Sequence, residues 1–399
     1  TEAAARALLG ADRIAAGAWP RLSVPLADLL PRTAASTATL TLLGVFLLNA
    51  TVSAASLEAA LGGPRLVLEL AALGVLWRRR GADAGNTETT SGAGSTQSSV
   101  QTPWFAAVQI APVDTTGRGG ALFVAVDWDR LRPWHQVMTT TIDTYALLRV
   151  QRLTRPGWAP RSVLDLCSGS GAQGLHAAAL FGPLRQGGVR VALVDLNPRA
   201  SRFARANVLL NGLPRVTVHV GALYNALPRG SQHFDLILAN PPYVPSEEGG
   251  GGQLFVAGGS MGERVTADVL RGVPGSLAPG GLLLLVANLA NVHRDYPAKL
   301  REWLREGVAP ETTGATDSID VDVTVLHGDV WSRDQYADGF IGPEEVRAGY
   351  RRFLRRAGVG SMTNGFLLAR RWTPPLGGGA SPISPISARL DGHCRMRVR

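Results

Sequence analysis

The sequence predicts a doubly wound α/β sheet of seven strands, preceded by a small helical domain. Three observations carry this. From Arg161 onward, short runs rich in Val, Ile and Leu alternate with segments of helical apolar spacing, the pattern of strands joined by helical crossovers. One run, beginning at Val163, passes directly into a glycine-rich turn and then a helix. The first 80 residues show only helical spacing, and a stretch without apolar periodicity follows them.

Residues 1–80 read as short helices over Ala38–Asn49, Ser53–Leu61 and Pro64–Trp77, the second opened by a Ser cap. The third runs into Leu76-Trp77-Arg78-Arg79-Arg80, and the order helix, turn, helix, basic end resembles a winged-helix module. Such modules bind nucleic acid or pack against a neighbouring domain, and packing is the reading adopted. Residues 81–103 lack apolar periodicity and are expected to be a flexible linker. Residues 104–160 supply connecting strands at Phe105–Ile110 and Ala121–Val126, then Met138 to Tyr145 ahead of a helix, which suits either a lid or a plain helix cap. In the main domain, residues 161–371, strands are expected at Val163–Leu166, Val189–Val194, Val216–Val220, Phe234–Ala239, Leu282–Ala287, Val321–Leu326 and Gly365–Ala369. Helices at Gly174–Phe181, Pro198–Leu210 and Val292–Arg305 fit between them. The Pro/Gly/Ser-rich residues 372–399 read as a disordered tail.

A net charge of +9 suits acidic partners such as RNA, DNA or a ribosome. Yet Lys299 is the sole lysine among 40 basic residues, a bias that fits gene base composition equally well. Two cysteines, Cys167 and Cys394, make no disulfide framework and no metal-ligand cluster, which fits a reducing compartment and a site without metal. Thr33 to Leu57 is uncharged and long enough to span a bilayer, but Ser36, Thr37, Thr39, Thr41, Asn49, Thr51 and Ser53 interrupt it. A soluble, intracellular protein without stable membrane insertion is expected, with an upstream targeting segment left open because the chain begins at Thr1.

The run from Val163 to Gly174 carries Gly169, Gly171 and Gly174 in a GxGxxG pattern. Glycines let a ligand approach the backbone, and the following helix start presents N–H groups. The pattern alone fits a nicotinamide dehydrogenase as well. Asp165 discriminates, because a carboxylate four residues before the first glycine repels a pyrophosphate and suits a ligand bearing an amino group and a sulfonium. Asp195, at the tip of the next strand, can accept both hydroxyls of a ribose, the alternative being a helix cap. Cys167 and Leu196 lie beside these acids, where Cys167 is a small apolar filler and no nucleophile. His176 on the next helix reads as packed.

Asn240-Pro241-Pro242-Tyr243 follows the strand Phe234–Ala239 at once, at the strand end where open α/β sheets bind ligands. A planar amide or aromatic amine attacks a methyl group poorly, because its lone pair is delocalised. Acceptors aimed at its N–H hydrogens favour the positive charge that develops on attack, and the Asn240 side chain with the Pro241 carbonyl can supply them. Two prolines stiffen the loop, and Tyr243 can stack on a planar group. The glycine-rich stretch from Pro245 through Gly262 suits a substrate-gripping loop or simple disorder. Arg347, Arg351, Arg352, Arg355 and Arg356 read as a solvated basic helix face.

From Asp165 to Tyr243 the chain resembles class I S-adenosylmethionine (SAM)-dependent methyltransferases with an Asn-Pro-Pro-Tyr motif. It is most similar to the protein-glutamine N5-methyltransferases of the release-factor and ribosomal-protein type, and next to N6-adenine methyltransferases. The resemblance covers residues 140–371 and implies a Rossmann-like methyltransferase sheet and SAM as cofactor. It assigns the cofactor to Asp165, Cys167, Gly169, Gly171, Asp195, Leu196 and Asn240, and the reaction to Asn240, Pro241 and Tyr243. The substrate it implies is a protein, such as a ribosome- or translation-related one, or a nucleic acid. Many relatives carry an acid after the third strand, where Gly221-Ala222-Leu223 has none. The alternatives are a methyltransferase of a small metabolite, an inactive RNA- or protein-binding module, and a nicotinamide-dependent oxidoreductase. The last leaves Asp165 and the Asn-Pro-Pro-Tyr loop unexplained.

Overall fold

The computed structural model describes residues 37–47, 50–73, 75–78, 103–114, 121–128, 135–154, 158–184, 186–228, 233–247, 254–294, 296–308, 321–339, 343–372 and 395–398. The chain divides into two compact units, one built from residues 1–131 and 138–141, the other from 132–137 and 142–399.

In the first unit, helix α1 spans Thr37–Leu47, α2 Ala54–Leu61 and α3 Pro64–Ala72. The Ser53 hydroxyl accepts the Ser56 N–H at 3.1 Å, the cap read from the sequence. Strand β1, Leu76–Arg78, pairs antiparallel with β2, Trp104–Ala106, and β3, Gln109–Asp114, pairs antiparallel with β4, Ala121–Val126. Val45, Leu57, Val67, Leu76, Trp104 and Trp128 form the core of this unit. The third helix is therefore shorter than expected, ending at Ala72, and Leu76-Trp77-Arg78 is a strand. The cause is cross-strand pairing. Trp77 lies opposite Phe105 with ring centroids 6.2 Å apart, and the Arg78 guanidinium sits 4.8 Å from the Trp104 ring centroid. Such pairs outweigh a weak helical preference interrupted by Gly74. Arg79, Arg80 and residues 81–102 lie outside the described residues, as does the stretch before Thr37. Among the described residues no helix is long and apolar enough to cross a membrane.

The second unit is a mixed α/β sheet with a mostly parallel centre. Its strands are β5 Ser162–Leu166, β6 Arg190–Asp195, β7 Val216–Val220, β8 Phe234–Ala239, β9 Leu277–Ala290, β10 Val321–His327, β11 Trp331–Ser332, β12 Ser361–Arg371 and β13 Arg395–Val398. They are ordered β13-β10-β12-β9-β8-β5-β6-β7, with β11 paired to β12. Strands β5 to β9 run parallel, and β12 runs antiparallel between β9 and β10. All seven expected strands are present. The eighth place at the edge belongs to β13, inside the stretch expected to be disordered, where Arg-Met-Arg-Val has the period-two alternation of a strand.

Helices α4 Ile142–Arg152, α5 Ala172–Phe181, α6 Pro198–Leu210, α7 Arg264–Ser276, α8 Tyr296–Glu306, α9 Arg333–Asp338 and α10 Glu344–Arg356 connect or cover the strands. α7 is absent from the sequence reading because Gly272 and Pro274 lie within it. Gly272 is there for packing, since a Cβ would fall 2.0 Å from the Tyr224 ring. α8 starts later than expected because Asn291, at φ 55°, turns the chain. Its side-chain oxygen accepts from Gly360 N at 2.8 Å and Ser361 N at 3.1 Å, fastening the end of β9 to β12.

Candidate active site

The strand order dictates where a ligand can sit. The chain passes from β5 through β6 to β7 in one direction, then returns to β8 on the other side of β5. Right-handed crossovers on the two sides put their helices on opposite faces, and the loops leaving β5 and β8 diverge to open a crevice at the strands' carboxyl ends. Cys167–Gly171 leaves β5 and Asn240–Tyr243 leaves β8, so the two motifs meet at this reversal point.

Backbone conformation and packing explain the glycine loop. Gly171 caps α5 with φ 87°, and a Cβ there would lie 2.8 Å from Leu193 Cδ1. At Gly174 it would lie 2.2 Å from Leu193 Cδ2, so this glycine serves helix-to-strand packing. Gly169 differs: at φ 55°, its Cβ would meet no protein atom within 4 Å. Its missing side chain therefore leaves open room beside the backbone. The adjacent Ser168 hydroxyl is buried without a hydrogen-bond partner. Asn207 on α6 supports the loop by donating to Ser170 O at 2.9 Å.

The two acids hold this loop in place. Asp165 is 1% exposed and accepts the Gly174 N–H at 2.8 Å, tying β5 to the first turn of α5. Burial pushes its carboxyl up from 3.8 to about 8, opposed by the Gly174 N–H and reinforced by the charge of Asp195. Asp165 thus has a partner within the protein, and little of its surface is free for direct ligand contact. Asp195 accepts Gly169 N–H on Oδ2 at 2.7 Å and Asn197 N–H on Oδ1 at 2.8 Å. Its carboxyl is also raised by burial, with both N–H groups acting the other way. Each carboxylate oxygen keeps a further lone pair, and the residue is only partly buried, so two more donors can be accommodated. Leu196 beside it is 55% exposed, an apolar surface at the strand tip. Cys167 takes φ 55°, and burial, with both acids adding, pushes its thiol well up, as suits a filler. His176 is fully buried on α5, its Nδ1 2.8 Å from Gln151 Oε1. After the third strand, Gly221, φ 150°, is held to glycine by packing, since a Cβ would lie 2.9 Å from Ala226 Cβ.

At β8 the Asn-Pro-Pro-Tyr loop is fixed from behind. Gly262 and Gly258 press against the Tyr243 backbone, where a Cβ would come within 2.4 Å of its carbonyl oxygen and 2.8 Å of its Cα. Val244 N donates to Val256 O, and Gly258 N donates back to Val244 O. The stretch expected to be a flexible loop is therefore pinned at both described ends, residues 245–247 and 254–262, because close-packed glycines let two backbones bond. Pro241 is buried and Asn240 partly exposed. Among the described residues, neither the Asn240 side chain nor the Pro241 carbonyl meets a hydrogen-bond donor. The Tyr243 hydroxyl donates to Asp143 Oδ2 in the first turn of α4.

An aromatic layer stands behind the loop. The Tyr350 hydroxyl donates to Pro245 O at 3.0 Å, the Tyr350 and Phe353 rings stack at 5.9 Å, and Asn288 Nδ2 bonds the Tyr336 hydroxyl at 2.9 Å. Sequence reasoning missed these residues. Tyr350, Phe353 and Leu354 at helical spacing were the available signal, hidden among the arginines of α10. Those arginines pair with acids: Arg347 with Glu344, Arg351 with Asp338 and Glu344, and Arg356 with Glu247.

Residues 138–314 match the methyltransferase small domain family. In this segment the chain is similar to methyltransferase domains. A ribosomal protein uL3 glutamine methyltransferase of Bradyrhizobium diazoefficiens is 38% identical over 32% of this chain and 40% of its own length. Release factor glutamine methyltransferases of Bordetella pertussis and Deinococcus radiodurans are 33% and 32% identical, over 41% and 42% of this chain and 60% and 59% of theirs. The chain thus spans between 40% and 60% of the length of these curated relatives. A solved methyltransferase from Pyrococcus furiosus is 15% identical with a TM-score of 0.36, covering 63% of this chain and 90% of that one, and adds nothing to the fold just described. The residues of this segment fit SAM. Gly169 leaves room for a ligand against the backbone, Ser168 offers an unpaired buried hydroxyl, and Asp195 keeps acceptor capacity.

Proposed function

We propose that this chain is a SAM-dependent N-methyltransferase that modifies the side-chain amide of glutamine in a protein substrate. The observation that carries the reading is the pair of unsatisfied acceptors, the Asn240 side chain and the Pro241 carbonyl, at the carboxyl end of β8 beside the glycine loop. Acceptors without donors, on a loop braced by prolines and glycines, are preorganised for N–H groups brought by a ligand.

Each part of the site then has a task. Asp195 receives the ribose hydroxyls while holding Gly169, and Leu196 covers one side of the adenine. Asp165 sets the angle between β5 and α5 by accepting the Gly174 N–H. SAM, when bound, supplies the electrophilic methyl group. Asn240 and Pro241 accept the two amide N–H hydrogens and aim the nitrogen lone pair at the incoming carbon. As the nitrogen becomes tetrahedral its positive charge grows, and both acceptors strengthen their hold on its hydrogens. The nitrogen then releases one proton to water, since a tetrahedral ammonium-like centre is acidic. Tyr243 lies over the planar amide. The three relatives named above are glutamine methyltransferases acting on a ribosomal protein or on release factors, which favours an amide over a nucleobase amine.

The test is methyl transfer from isotope-labelled SAM to separated protein, RNA, DNA and small-molecule fractions. Label in protein, released on hydrolysis as N5-methylglutamine, is the expected result. Label confined to RNA or DNA would place the nitrogen on a base and overturn the glutamine assignment.

A further inference from the structure

The geometry points to Asp143 as a positioning residue that fixes the plane of the Tyr243 ring and thereby sets the orientation of a planar acceptor. This rests on the reading of Asn240-Pro241-Pro242-Tyr243 as the acceptor site. The hydroxyl oxygen of a tyrosine lies on the axis about which its ring turns, so holding it fixes the first side-chain torsion, and because a phenol O–H prefers the plane of its ring, donation to an acceptor held in one place favours one ring plane. The backbone is held by Pro242 before it and by Gly258 and Gly262 against it. The hydroxyl is held by Asp143 Oδ2.

The support for Asp143 continues inward. It lies in the first turn of α4, where a carboxylate complements the exposed N–H groups. α4 buries Tyr145, Leu147 and Leu148, and its Gln151 bonds both Gln173 O and the His176 ring on α5. α5 is the helix that follows the glycine loop. A continuous set of contacts therefore joins the cofactor loop, through α5 and α4, to the ring that faces the acceptor. Burial and the nearby Asp143 both push the Tyr243 phenol up, so it remains a neutral donor. With its hydroxyl engaged, Tyr243 offers the substrate a ring face only. Acceptor selection at this residue then depends on planarity and not on a hydrogen bond to the phenol.

The experiment is a double-mutant cycle of Asp143→Ala and Tyr243→Phe, with Asp143→Asn as the conservative variant. Asp143→Ala and Tyr243→Phe should each lower kcat/KM for the protein acceptor by about tenfold, the size of one hydrogen bond to a charged group. The loss should appear mainly in KM for the acceptor, with the Kd for SAM by calorimetry within about twofold of wild type. The double variant should be no worse than either single one. Asp143→Asn, which keeps an oxygen acceptor, should restore most of the activity. The same cycle read in Tm needs no acceptor, and coupled shifts are expected. Additive Tm shifts would overturn the contact itself whatever the acceptor is. Unchanged kcat/KM in the single variants of an active enzyme would overturn the positioning role while leaving methyl transfer standing.

Discussion

Asp195 and Asp165 divide the work at the cofactor loop. Asp195→Ala removes the acceptor for Gly169 N–H together with the proposed ribose contacts, so SAM affinity should fall by roughly 1.5–3 kcal/mol, measured by calorimetry. Asp165 has a different signature. Its carboxyl rises from 3.8 to about 8 on folding, so the native state keeps a proton that the unfolded chain has lost. That contribution to stability is fully present below pH 3.8 and is lost as the pH rises through about 8. Asp165→Asn should remove this slope. Denaturant unfolding from pH 4 to 8 should show wild type losing stability relative to the Asn variant, and parallel curves would contradict the assignment. The sequence marked both acids as candidates for the site. It could not reveal that each is engaged by backbone N–H groups, because those bonds depend on how β5, β6 and α5 meet.

At the scale of elements, β5, β6 and β8 were legible because each is a nearly unbroken apolar run, as buried parallel strands are, whereas β7 and β10 were legible by alternation of apolar with polar residues. The losses have identifiable causes. Gly272 and Pro274 disguise α7, the arginines disguise the aromatic stripe of α10, and β1 is a strand only because residues 104–106 pair with it. Tyr243 and Asp143 lie 100 residues apart, beyond any local pattern. The start of α7 carries a further contact set. Glu263, 6% exposed, pairs with the sole lysine, Lys299, at 2.8 Å and accepts the Ala290 N–H at 3.1 Å. The Lys299 ammonium also lies 4.8 Å from the Tyr296 ring centroid. Because Gly262 precedes Glu263 directly, this cluster anchors the segment that braces Tyr243. Glu263→Ala strands the ammonium and leaves a buried N–H without its acceptor, so it should cost about 2–4 kcal/mol, discounted for the partial exposure of Lys299. Chemical denaturation checks the figure, and a loss below about 0.5 kcal/mol would show the pair to be a surface contact in effect.

At the scale of the molecule, each of the two units has its own core, around Leu57 and Trp104 in one and around the central sheet in the other. A chain beginning at residue 132 should therefore fold and retain SAM binding. We propose that the first unit, which has its own core, helps select the substrate, so the shortened chain should lose turnover on the protein acceptor. Calorimetry and the labelled-methyl assay on the same preparation separate the two effects, and full activity of the shortened chain would remove that role.

The central claim is that Asn240 acts on charge that appears only during attack, and the direct measurement is turnover of Asn240→Ala alongside its Kd for SAM. In Asn240→Ala, kcat should fall by roughly 10²–10³, the scale of a preorganised electrostatic contact, while SAM affinity stays near wild type. Asn240→Asp, which keeps an oxygen acceptor, should retain partial activity. Normal turnover by Asn240→Ala would contradict the planar-nitrogen mechanism and favour an oxygen or carbon acceptor that needs no such contact.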